Sequence, residues 1–273
     1  MFNRAFKSVV AIGILSSLAS AAAVASDEYG AGDKPSSQAC AGLPNHYQLL
    51  TALQSARAQT NGGFNLDMWG TVVNRDGIVC EVAFTGANRG SQWPGSRVIS
   101  AQKANTANAF SLPGLALSTA NLYAAVQPGG TLYGLQHSNP VDTAVAYHGP
   151  ASDFGQDDDP MVGHRIGGVN VFGGGLALYN LKGVLIGAIG VSGDTSCADH
   201  NIAWRTRHSL NLDYVPGGVS AHSGAHGDDN VNYQGIVSVP SLANDFSHPI
   251  CKIGGVDGVS AISGSLPAIQ KVK

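Results

Sequence analysis

Over 273 residues the chain carries a formal net charge of −3 and 12% charged side chains, about half the usual share. With no basic cluster along its length, that balance excludes a nucleic-acid binder or a protein held by charge to an acidic membrane surface. The length suffices to bury a sizeable core in one enlarged domain, or in one domain with a tail.

Arg4 and Lys7 precede an apolar run from Val9 to Val24, and Ala23-Val24-Ala25 supplies a small-x-small cleavage signal before Ser26. The run is broken by Gly13, Ser16, Ser17 and Ser20 and falls short of the ~20 apolar residues that a spanning helix needs. Residues 1–25 therefore read as a secretory signal peptide, and the mature chain as periplasmic or secreted. No cysteine follows the cleavage point, which argues against a lipoprotein. Residues 26–44 read as a loose polar leader, and removal of Arg4 and Lys7 makes the mature chain more negative.

The main domain is expected over 45–215. Asn45 is a plausible N-cap for a helix carrying Leu49, Leu50, Leu53 and Ala56 at helical spacing. Residues 64–74, the turn at Arg75-Asp76-Gly77 and residues 78–84 read as a hairpin. In the segment 100–110, Ala104, Ala107 and Phe110 place small, small and aromatic side chains on one helical face. Lys103 and Thr106 lie on the adjacent face. Residues 116–126 read as a short helix. From 131 to 168 the chain is polar and irregular around Gln156-Asp157-Asp158-Asp159-Pro160. The three aspartates lack the alternating ligands and terminal Glu of a calcium loop, so the run reads as a solvated insertion.

Gly173-Gly174-Gly175 opens a second hairpin that turns at Lys182-Gly183 and returns through Val184 to Gly193. Glycine inside a strand costs stability, so its repeated use marks something passing close to the backbone. A neighbouring helix, another subunit or a flat ligand would each satisfy that. Residues 199–210 read as a closing helix. Residues 216–273, rich in Gly, Ser, Val and Asn, read as a C-terminal extension of irregular structure and short strands packed on the domain. Strand pairs alternating with helix blocks predict an α+β fold, an antiparallel sheet flanked by helices.

The four cysteines are Cys40, Cys80, Cys197 and Cys251. With no Cys-x-x-Cys, neither a zinc ribbon nor a redox pair is indicated, and in an oxidising compartment two disulfides are expected. Of the three connectivities, topology favours one. The start of the first helix, the end of the following strand and the turn after it lie at one end of the domain. Cys40 and Cys80 would meet there, leaving Cys197 for Cys251. Each bridge would contribute on the order of 4 kcal/mol in the chain-entropy model.

Ser100, Lys103-Ala104, Thr106-Ala107 and Phe110, followed by Gly173 to Gly175, Ile186 to Gly193 and Asp199, resemble the GlcG/HbpS family. These are haem-binding proteins and relatives that include the C-terminal domain of PduO-type corrinoid adenosyltransferases. The resemblance covers roughly 45–212 and implies a non-catalytic or accessory binder of haem or a related planar tetrapyrrole, assembled as a homo-oligomer, which the signal peptide would make an exported one. It suggests His46, at the start of the first helix, as the natural iron ligand. The other residues expected around such a ligand are Lys103, reaching a propionate, Thr106, His164, Gly174, Gly175 and His200. The alternatives are a small-molecule-binding accessory protein of an organic-acid or diol pathway without haem, and a purely structural oligomer.

Nucleophile signatures are absent by motif: Gly190-Val191-Ser192-Gly193 is followed by Asp194, so no Gly-x-Ser-x-Gly elbow forms. His-Glu-x-x-His and phosphate-binding glycine loops are likewise missing. His222 and His226 share the spacing of a metal pair, but Gly224 between them disfavours a helix.

Overall fold

The computed structural model describes residues 38–224, 226–233, 245–252 and 258–272, which belong to one compact unit. The predicted signal peptide and most of the leader lie outside the described residues. Helix α1 (His46–Arg57) begins with a capping box, in which the Asn45 side chain accepts from Gln48 N–H and the Gln48 side chain accepts from Asn45 N–H. Strands β1 (Trp69–Asn74) and β2 (Val79–Phe84) form the first hairpin, and β3 (Gly175–Tyr179) and β4 (Leu185–Ser192) the second. They join in one antiparallel sheet of order β2-β1-β4-β3.

Both hairpins turn by the same device. Asn74 Oδ1 accepts from the amides of Asp76 and Ile78, and Asn180 Oδ1 accepts from those of Lys182 and Val184. Gly77 and Gly183 then take positive φ, the conformation glycine adopts without strain. The expected strand over 64–74 is shorter, starting at Trp69. The amides of Phe64 and Leu66 donate to the Asp194 carboxylate instead of to a neighbouring strand.

One face of the sheet packs against α1 and α5 (Ser196–Ser209), burying Leu49, Leu53, Val72, Ile189, Val191 and Trp204 among others. The opposite face packs against α2 (Ser96–Phe110). Here the facing residues are small: Ala101, Ala104 and Ala107 on the helix, and Ala188 and Gly190 on β4. A Cβ on Gly190 would meet Ser100 O and Ala104 N, and one on Gly175 would meet Lys103 O and Thr119. The glycine-rich strand is therefore explained by the close approach of this chain's own helix.

Residues 116–126 do not form the expected helix; a single 3-10 turn occupies Ala124–Val126. The amides of Ala116, Leu117 and Thr119 are taken by Gly217 O, Ser111 Oγ and Gly175 O, so the segment is a connector held from three sides. The insertion carries two one-turn helices, α3 (Leu135–Ser138) and α4 (Thr143–Ala146). In the described part of the C-terminal extension, isolated bridges and a short helix, α6 (Val259–Gly264), take the place of the expected strands. Arg207 fixes this extension through a fully buried ion pair with Asp229, at 2.7 Å. Cys40–Cys80 and Cys197–Cys251 are bonded as the topology predicted. Among the described residues no helix is long and apolar enough to cross a membrane.

Candidate functional site

The insertion is anchored on α2 by Arg97. This guanidinium pairs with both carboxylate oxygens of Asp159, donates to Ala146 O at 2.7 Å, and lies 3.6 Å from the centroid of the Phe154 ring. Asp159 also accepts from the amides of Gly155 and Met161. The third aspartate of the predicted solvated run is thus buried and fully engaged, whereas Asp157 and Asp158 are exposed. Burying two charges is compensated only when both are paired and hydrogen-bonded, and both conditions hold here.

The ion pair stands between two cavities. The larger, about 610 Å³, is lined by Trp69, Arg89, Arg97, Val98, Tyr147 and Phe154. Trp69 is held edge-on against Phe84, with ring centroids 5.2 Å apart, and its indole N–H donates to Trp93 O. These rigid aromatic walls leave Arg89, exposed and outside any ion pair among the described residues, as the uncommitted cation at the rim. The smaller cavity, about 300 Å³, is lined by His148, Asp158, Asp159, Val162 and His164. The two histidine rings lie 6.3 Å apart. Consecutive residues Tyr147 and His148 therefore serve different cavities, and Tyr147 is 62% exposed.

The residues predicted from sequence do not converge on either cavity as a set. His46 begins α1, on the far face of the sheet from α2. Lys103 is fully buried, with Nζ bonded to Asp199 Oδ2 at 2.7 Å, Val191 O at 2.9 Å and Ser192 Oγ at 3.2 Å. Those acceptors saturate the ammonium, so it has no donor left for a propionate. Burial lowers its pKa against the raising effect of Asp199, while burial pushes Asp199 up to about 6 despite Lys103. Thr106 donates to Gln102 O and accepts from Asn170 N–H.

Gly174 and Gly175 abut Val191 O, Asp199, Lys103 and Thr119, which fill the space a flat ring would need. His200 is fully buried beside Trp204 and Asn230, and burial, helped by Arg207, lowers its pKa to about 3. It is a neutral core side chain. Of the predicted set, His164 is the one that lines either of these two cavities, and its cavity belongs to the insertion rather than to the glycine strand.

Sequence reasoning missed Arg97, Tyr147, Phe154 and Asp159. One signal was available. In a chain so poor in charge, a cation at the start of a small-residue helix requires a partner.

The family model described as haem degrading protein HbpS-like matches residues 46–207. The chain belongs to the HbpS-like family. Three solved structures illustrate the similarity. A PduOC:heme complex is 25% identical over 61% of this chain and 91% of its own, with TM-score 0.42. Protein ORFY of Klebsiella pneumoniae is 24% identical over 60% and 86%, with TM-score 0.41. A double mutant of Streptomyces reticuli HbpS is 17% identical over 76% and 99%, with TM-score 0.39. No curated protein matches. The HbpS-like match spans both hairpins, α1, α2, the insertion and most of α5, and stops before the C-terminal extension.

Proposed function

We propose that this HbpS-like chain is an exported accessory binder of haem or a related tetrapyrrole, non-catalytic toward that ligand, and that the ligand enters the 610 Å³ cavity between α2 and the insertion. The observation that carries the reading is the composition of that cavity within a family whose description names haem. Its volume lies in the range of small-molecule and cofactor sites, which are concave and largely apolar with a few placed polar groups. Trp69 and Phe154 would flank a flat ring, Arg89 would meet a carboxylate at the rim, and the Tyr147 phenol is of a type that ligates haem iron. The bound group would supply the iron chemistry; the chain's residues would orient it and exclude water. Because the small-residue face of α2 is consumed within the protomer, homo-oligomer formation would use other surfaces.

A haemin titration of the disulfide-intact mature protein, followed by absorbance, tests this. A saturable Soret change near one haem per chain is expected, weakened in Tyr147→Phe and Arg89→Ala and unchanged in His46→Ala. Loss of binding in His46→Ala alone would move the site to α1, and absence of saturable binding would refute the haem reading.

A further inference from the structure

We propose that Ser196 and His248 form a nucleophile–base pair, a site for acyl transfer from small carboxylic esters that is separate from the ligand cavity. Ser196 is the first residue of α5, and its Oγ lies 2.7 Å from His248 Nε2. The opposite ring nitrogen, Nδ1, lies 2.6 Å from Pro249 O. A carbonyl oxygen only accepts, so Nδ1 carries the proton and Nε2 turns its lone pair to the serine hydroxyl. That is the tautomer a general base requires, set here by a backbone carbonyl where the familiar triads use a carboxylate.

The pair is built by tertiary structure. The Cys197–Cys251 disulfide clamps the segment bearing His248 against the start of α5, and the His248 amide donates to Asn232 O at 2.8 Å. The Tyr123 ring packs on the imidazole at 5.1 Å. Burial lowers the pKa of His248 despite the bond to Pro249 O, which raises it, and the buried Lys103 acts in the same direction as burial, so the neutral ring is favoured. His200 is the other titratable group coupled to it, and is itself neutral. His248 is buried but Ser196 is only half-buried, so the nucleophile is the more accessible member of the pair.

An oxyanion also has donors. Ser196 Oγ accepts from Gly173 N–H at 2.6 Å, which favours the developing alkoxide. The N-cap Thr195 contributes no side-chain cap, and among the described residues its Oγ1 has no hydrogen-bond partner. The first amides of this 14-residue helix, including that of Cys197 next to the nucleophile, therefore carry no side-chain cap and are open to an acyl oxygen bound at Ser196. In the reaction, Ser196 Oγ bonds to the acyl carbon as its proton passes to His248 Nε2. The imidazolium returns that proton to the alkoxide as the ester C–O bond breaks. Water then attacks the acyl-serine by the reverse sequence, releasing a carboxylic acid and restoring Ser196.

The test is reaction of the full disulfide-intact chain with a fluorophosphonate probe, with the adduct mapped by mass spectrometry. The expected result is an adduct on Ser196 that is absent in urea, lost in Ser196→Ala, and formed about 100-fold more slowly in His248→Gln. The wild-type labelling rate is expected to rise with pH through a midpoint below 6.5, a dependence that a purely structural hydrogen bond would not produce. No adduct on Ser196 in folded wild type, equal labelling in urea, or a rate indifferent to pH between 4 and 8 would each overturn the proposal.

Discussion

Replacing Lys103 by methionine is the sharpest probe of the buried centre, because it keeps most of the side-chain volume and removes only the charge. In the native protein the ammonium meets Asp199 at 2.7 Å, with Lys103 fully buried and Asp199 2% exposed. Removing one partner of such a pair leaves an uncompensated charge and costs about 3–5 kcal/mol. The loss is pH-dependent, and its sign follows from Asp199. In the unfolded chain that carboxyl titrates at its ordinary value; in the folded chain burial raises it to about 6. Between those values the folded state holds more protons, so this group's contribution to stability falls as pH rises. Without Lys103 the carboxyl retains its proton to higher pH still. Lys103→Met should therefore lose the full amount at pH 7.5 and clearly less at pH 5, where Asp199 is neutral in the variant. Urea unfolding at both values, with Lys103→Met/Asp199→Asn as the double variant, measures it. The double variant should recover part of the loss. A cost under 1 kcal/mol at pH 7.5, or a larger cost at pH 5 than at 7.5, would refute the reasoning.

Two further outcomes follow from the packing. Gly190→Ala should destabilise the protein by about 1–3 kcal/mol or more, read as a lowered denaturation midpoint, because the added methyl meets the rigid backbone atoms Ser100 O and Ala104 N; an unchanged midpoint would mean that α2 stands off the sheet. Cys251→Ser, which opens a bridge spanning 54 residues, should cost about 4 kcal/mol in the chain-entropy model and expose the C-terminal extension to limited proteolysis before the sheet is cut.

Much of the framework was legible in the chain because local chemistry decides it. The Asn45 cap, the Asn-x-x-Gly turns at Asn74 and Asn180, and the alternation of strand and helix periods are short-range signals. They placed both hairpins and the main helices, and with them the pairing of Cys40 with Cys80. The failures occurred where distant groups compete for backbone or charge. Residues 116–126 lost their helix because Gly217, Ser111 and Gly175 take their amides. The aspartate run looked solvated because its partner, Arg97, lies 62 residues upstream.

The site followed the same division. Of the residues that carry the family resemblance, Lys103, Gly174 and Gly175 proved to be the joint between α2 and the sheet, and Thr106 ties α2 to Asn170 in the segment that leads into it. Their spacing reports close packing, which composition cannot distinguish from close ligand approach. By itself the sequence determined the fold class, the disulfide framework and the family, since each depends on patterns within an element or on topology. Only the tertiary structure decided which glycines face helix rather than ligand, where the cavities lie, and that His248 reaches Ser196 across 52 residues. Those outcomes depend on burial and long-range hydrogen bonding, which exist only once the chain has closed on itself.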